Sequence, residues 1–574
     1  MRRRRFLALA GLGPVAALLR PKPHPPRPPH PTTTTTTPAA TTTTVEPMPT
    51  FTTAPTTVVV PAAFVYDVLI LTGDSNATAQ SKINAATSTA IIGFEAGAHY
   101  ERKVTPKLGQ TLRGDPRGTT VLDGSRLVTG WTGSNPWVAN HTVTDRGVTI
   151  DDTRSADRGD QYPEELFFET PGQNTGWTRK HRTGDPSTST PGAGDWTMSY
   201  AAGTLRVAEN PTATTVRLSV TDQAIVSPGV GAGGLTVEDI TFQKYASITF
   251  GSAWANQETG TADHRDWTFR RVACFDIHGG GANFGPGDSA TNLKLGYNGC
   301  MGFWGNTSVS GYSNGFTLVD SEILYNMRAK YDWSWSGGCG KFETPPNAGQ
   351  QLIIRNCWVH HNNGIGIWAD VNTTAAGASL IESNLAEDNE INGVFWEITA
   401  GTALIRWNLS RRNGAGSVAN NGGPAVNDED GCGYDISNSR GVLLTQNVVD
   451  GCPTGIMVRD DGRSPFLDGC SVQDNSVKAS GGTGDGNIVK FRPDVDGTRI
   501  ATCGADNNRY WSGGAFGFSY NNVFGMSFAS WQAARGGPGL TGALDPNGTS
   551  GLTGAVTNPA TFKAFTLSRY GPGV

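Results

Sequence analysis

Charged side chains are scarce: Asp, Glu, Lys and Arg make up 17% of 574 residues, and the formal net charge is −5. Without a basic excess to neutralise phosphates, nucleic acid is not expected as a partner. The leading apolar run, Phe6 to Leu19, is 14 residues long. A bilayer needs about 20, so no stable membrane span is expected. Paired CxxC motifs are missing, which argues against a structural zinc site. The eight cysteines lie between Cys274 and Cys503. That even number permits disulfides in an oxidising compartment, and buried free thiols equally. Long amphipathic helical patterns are also wanting. What the chain has instead is 75 glycines, with many asparagines and short apolar runs, the composition of short strands separated by turns.

The opening MRRRRFLALAGLGPVAALLR has a basic cluster before a short apolar core, the pattern of an export signal. Its RRRFL resembles the twin-arginine signal. A Pro/Thr-rich tract follows, with too few apolar groups to pay for ordering. The protein is therefore expected to be exported or secreted, with surface association left open.

The second half repeats one phrase: IIRNCWVHHNNGIGIW, LIESNLAEDNEINGVFW, LIRWNLSRRNGAGSV, LLTQNVVDGCPTGIMV. Each has apolar residues, a small polar residue, a short run, and five residues later Asn, Cys or Ser. One slot holds Ser321, Cys357, Asn384, Asn408, Asn447 and Asn475, at steps of 36, 27, 24, 39 and 28 residues. Such periods indicate a solenoid. The leucine-rich signature is absent, and β-branched residues and glycine point to an all-β, right-handed parallel β-helix whose slot asparagines bond from coil to coil.

Asp370 lies 13 residues after Cys357, and Glu397 lies 13 residues after Asn384. Both acids then share a position in consecutive coils, which stack about 4.8 Å apart. Ile367, Val394, Val418 and Met457, all ten residues past the slot, read as inward. Alternation puts Trp368 and Phe395 beside the acids on the outer wall. Stacked acids destabilise a sheet, but proximity raises one pKa and leaves one protonated and one ionised carboxyl, the pair a glycosidase needs. A solvated outer face, with an acid bonded to an arginine or calcium, is the structural alternative. A carboxyl spacing of roughly 5 to 5.5 Å corresponds to retention.

WSWSGGCGKF, HHNNGIGIWAD and NGVFWEIT together resemble the signature region of secreted bacterial β-helix proteins of the pectate-lyase-like superfamily. The acid pair is similar to that of β-helical β-xylosidases. That resemblance implies Asp370 as nucleophile and Glu397 as acid/base. FEAGAHYERKVTPKLGQTLRGDPRGTTVLDGS resembles the opening coils of such proteins, and YPEELFFE with PGAGDWTMSYAAGTLRVAENP resembles their small β insertion. The expected organisation is export signal 1–20, linker 21–62, first coils 63–130, inserted β domain 131–226, main helix 227–510, and cap and tail 511–574.

Lys341 could hold a sugar hydroxyl or favour the charged form of Asp370, or be merely solvated. Trp333 and Trp335 suit sugar stacking and core packing equally. Asn421 and Asp460, 13 residues past their slots, extend the acid row and suit substrate contact. Asp428, Glu429 and Asp430 could hold calcium, though no cofactor is required. His360 and His361 read as turn residues. The expected function is retaining hydrolysis of a polysaccharide or oligosaccharide by a monomer. The alternatives are a polysaccharide lyase using Lys341, with or without calcium, on uronates, and a non-catalytic adhesion module.

Overall fold

The computed structural model describes residues 65–552, apart from 118, 146–161, 171–175, 184–189, 256–263, 306–307, 310–311, 314, 330–337, 343–350, 371–376, 415–430, 464–466, 481–487, 494–496, 501, 512–516, 521–522 and 535–543. The export signal and linker lie outside the described residues. So do Trp333, Trp335, Val418, Asn421 and Asp428 to Asp430.

Three parallel sheets form the walls of a right-handed β-helix. Among the described residues the first has 13 strands, from Val68–Ile70 to Gly504–Asp506, and the second 13, from Gly97–Tyr100 to Thr549–Leu552. The third has ten, from Ala282–Phe284 to Val523–Met526, the last pairing antiparallel. Like residues stack from coil to coil: Ile354 lies opposite Ile381, Ile381 opposite Ile405, and Ile405 opposite Leu444. All four are buried in one continuous core.

The slot residues form a ladder. Asn384 donates its backbone N–H and its Nδ2 to Asn408 Oδ1, both at 2.9 Å, and its Nδ2 also to the Ile354 carbonyl at 3.0 Å. The pattern continues from Asn408 to Asn447, Asn475 and Asn508. The residue before each slot turns the corner in the left-handed region: Ser383 at φ 58°, Trp407 at 58° and Gln446 at 57°. Such residues cost roughly 1 kcal/mol each, which the ladder bonds offset. A second ladder at the next corner joins Asn298, Asn326, Asn362, Asn389 and Asn413. The cysteines are buried free thiols, eight in all; Cys357 takes a ladder position, its N–H donating to Asn384 at 2.9 Å.

Among the described residues the inserted β domain is an eight-stranded sheet whose strands run from Ser125–Leu127 to Val216–Ser219. It has its own core of Leu166, Phe168, Trp196, Met198 and Leu205. Lys244 of the helix points its ammonium at the Trp177 ring of the insert, 3.9 Å from the centroid. At the far end, Ser527 caps a short helix, Phe528–Ala533, whose Trp531 is buried against Phe491, Tyr510 and Phe518. The sheets continue past residue 510, since Phe518–Tyr520 and Thr549–Leu552 both pair with preceding coils.

Candidate active site

Five strands of the third sheet carry the site: β1 (Gly338–Phe342), β2 (Ile365–Ala369), β3 (Val394–Glu397), β4 (Cys432–Ser437) and β5 (Thr454–Asp460). The glycines of GIGIW and NGVFW have a steric cause. A Cβ on Gly366 would lie 2.3 Å from the Gly393 carbonyl oxygen, and one on Gly393 would lie 2.1 Å from Ser410 Oγ.

Alternation then sorts the side chains. Ile367, Val394, Tyr434 and Ile456 stack inward, as do Ala369, Trp396, Ile436 and Val458. Between these rows, Lys341 lies opposite Trp368, Trp368 opposite Phe395, Phe395 opposite Asp435, and Asp435 opposite Met457. Met457 thus belongs to the outer row, not the inward one. Trp368 and Phe395 stack with centroids 5.7 Å apart and form a small cluster outside the main core with Ile365 and Ile391. They stand on the outer wall yet are nearly covered.

Ala369 pairs with Trp396, so the acids that follow them, Asp370 and Glu397, sit on adjacent coils at the same level. Lys341 Nζ is 2.7 Å from Asp370 Oδ2 and 3.7 Å from the Trp368 ring centroid. The Trp368 indole N–H donates to Glu397 Oε2 at 2.9 Å, and Arg463 binds the other oxygen. Glu397 is only 6% exposed. Burial pushes its carboxyl above the ordinary glutamate range, and the Asp370 charge pushes the same way; Arg463, Arg459 and Lys341 pull against them.

Beyond Glu397 the row continues through Ser437 to Arg459. The place that spacing gave to Asn421 is held by Ser437. Asp460 falls one residue out of the row, because its coil takes four residues from the corner at Cys452 to inward Ile456, where the coil of Glu397 takes five from Asn389 to Val394. Asp460 is fully buried and accepts from Asn438 Nδ2 at 3.0 Å and the Gly462 N–H at 2.9 Å, with Arg499 at 3.3 Å. It fixes the turn that carries Arg463.

Four groups escaped the spacing argument. Asp435 pairs with Arg459 at 3.2 Å, and Arg463 joins Glu397 to Asp461. Asp461 is held below the usual carboxylate range, burial opposing and Arg463 and Arg459 prevailing. His360 and His361 lie at a corner off the row, where His360 Nε2 is 3.2 Å from Glu322. Among the described residues no group of three or more His, Cys, Asp or Glu could hold a metal ion, and no helix is long and apolar enough to cross a membrane.

No protein-family model matches the chain, and no curated protein matches its sequence. Among solved structures it is similar to XylC in complex with xylose, at 12% identity over 80% of this chain and 86% of that one, with a TM-score of 0.48. It is also similar to the A-module of the Azotobacter vinelandii mannuronan C-5 epimerase AlgE4, at 12% identity over 79% and 94%, with a TM-score of 0.43. A third is the catalytic domain of a GH87 α-1,3-glucanase, at 12% identity over 85% and 68%, with a TM-score of 0.39. These likenesses are of fold.

Proposed function

We propose that the protein is an exported carbohydrate-active enzyme, a retaining glycoside hydrolase with Asp370 as nucleophile and Glu397 as acid/base. The observation that carries this reading is the pairing of a buried carboxyl of raised pKa with a second carboxyl on the adjacent coil. The shifted group suits the proton donor, and its neighbour the attacking group.

In the first step Asp370 attacks the anomeric carbon while Glu397 protonates the departing oxygen. The covalent ester removes the Asp370 charge, one of the two causes that raise Glu397. The Arg463, Arg459 and Lys341 charges remain and favour the carboxylate, which then takes a proton from the incoming water. The Trp368 indole holds Glu397 at Oε2 throughout. Calcium has no required part in this chemistry.

The lyase alternative asks Lys341 to abstract a proton. Its Nζ is already engaged by Asp370 at 2.7 Å and by the face of the Trp368 ring, 3.7 Å from the centroid, so hydrolysis is preferred. A polysaccharide panel read in parallel for reducing ends and for unsaturated uronate absorbance tests this. Reducing ends alone are expected; unsaturated products would establish the lyase, and silence across the panel the adhesion module. On an accepted aryl glycoside, Asp370→Asn is expected to abolish turnover and Glu397→Gln to spare good leaving groups. A first-formed anomer of inverted configuration would overturn retention.

A further inference from the structure

Two of the buried cysteines stand in consecutive coils at one place in the fold. Cys470 lies five residues before Asn475 and Cys503 five before Asn508, and those asparagines are successive rungs of the first ladder. Ser471 pairs with Gly504, so the cysteines that precede them share a level too. The Gly504 N–H donates to the Cys470 carbonyl at 2.9 Å. Both side chains continue the inward row that holds Leu352, Ser379, Ala403 and Val442 in earlier coils. They are 2% and 1% exposed, within the main core.

Their contact goes beyond register. The two thiols share a hydrogen bond, which holds Cys503 below the usual thiol range against the effect of burial and, with burial, pushes Cys470 well above it. Cys470 Sγ is also 3.3 Å from the Ser439 carbonyl. The thiols of Cys339, Cys357 and Cys452 are turned elsewhere, to the carbonyls of Ile365, Arg355 and Ser410. Neighbouring parallel strands lie about 4.8 Å apart, inside the roughly 4.4 to 6.8 Å that a disulfide asks of its Cα atoms.

We propose that Cys470 and Cys503 form a disulfide that clips the last coils of the helix together when the chain meets an oxidising compartment. The chemistry is exchange with a small-molecule or protein disulfide. The Cys503 thiolate attacks one sulfur of that donor and expels the other as a thiolate, which takes up the Cys470 proton. Cys470 then attacks the mixed disulfide at the Cys503 sulfur and expels the second donor thiolate, which takes a proton from water. Two cysteine thiols are oxidised and one donor disulfide is reduced to two thiols. Cys503 lies 33 residues after Cys470, so the link closes a loop long enough to restrict the unfolded chain. It also ties down the coil whose Arg499 reaches buried Asp460 at 3.3 Å, near the end of the solenoid, where coils open most readily. The cellular setting rests on the export reading; the pairing does not.

The test is mass spectrometry on the full chain, equilibrated with excess oxidised glutathione in urea below the unfolding midpoint and then alkylated with N-ethylmaleimide in strong denaturant. Wild type is expected to take up two fewer adducts than its 8 cysteines, and the full number after dithiothreitol. Trypsin cuts after Arg463, Lys478, Arg499 and Arg509, so the two cysteines fall in separate peptides that the link should join. Cys503→Ser should yield no joined peptide. Oxidised wild type should melt at a higher temperature than its reduced form, a difference that should vanish in Cys503→Ser. Alkylation of every thiol after oxidation, a link between other cysteines, or glutathione retained on Cys503 without closure would overturn the proposal.

Discussion

Replacing Asn408 by alanine removes one rung from the middle of the first ladder. Its Oδ1 accepts the backbone N–H and the Nδ2 of Asn384, both at 2.9 Å; its Nδ2 donates to the Ile381 carbonyl at 2.9 Å and to Asn447 Oδ1 at 3.0 Å. Four hydrogen bonds are lost, each with a net worth of about 1 kcal/mol. All surround a residue 2% exposed, so the orphaned Asn384 groups are not rescued at the surface. A loss of about 4 kcal/mol is expected. Urea denaturation, followed by circular dichroism, measures it. The control is Asn547→Ala, whose exposed side chain bonds Asp506; it should cost less than about 1 kcal/mol. Comparable small losses in both variants would refute the claim that the ladder, and not generic turn preference, holds the corner.

Arg463→Ala removes a cation that favours the Glu397 carboxylate, so the acid form should persist to higher pH. The alkaline limb of kcat/KM should move to higher pH, and a downward move would contradict the electrostatic account. Gly393→Ala forces a Cβ to within 2.1 Å of Ser410 Oγ; the urea midpoint should fall by the equivalent of about 3 kcal/mol. Trp531→Ala empties the buried cap and should cost about 3 to 5 kcal/mol. Light scattering should detect association of that variant through the uncovered sheet edges.

Spacing was a good guide wherever coils followed one another without interruption. Cys357 and Asn384 are consecutive slots, so equal offsets delivered Asp370 and Glu397 to one level. The same offset failed at Asp460, because one residue fewer past Cys452 rotates every later side chain by half a repeat. Asp435 follows residues 415–430, an insertion across which no count carries; Arg459 takes the row place that the offset from Asn447 gave to Asp460, and Arg463 lies beyond the end of that strand. Lys341 appeared out of register when counted forward from Ser321; counted back from the strand end, GKF aligns with IWA, as the pairing of Lys341 with Trp368 and Phe342 with Ala369 requires. The second ladder was written as Asn, Cys or Ser five residues past each slot. Its continuity from Asn298 to Asn413 needs the hydrogen bonds to be seen.

The first ladder has a direction. Every asparagine in it accepts from the coil before and donates to the coil after, so each rung creates a demand that the next must meet. Among the described residues the last rung after Asn508 is Asp545, which accepts from the Asn508 N–H and Nδ2 and from the Tyr510 hydroxyl. A carboxylate asks nothing of a further coil. The row therefore ends in a chemical full stop: whole coils could be spliced in upstream, each restoring the relay, whereas a chain cut just after Asn508 would leave its amide calling on a neighbour that no longer exists.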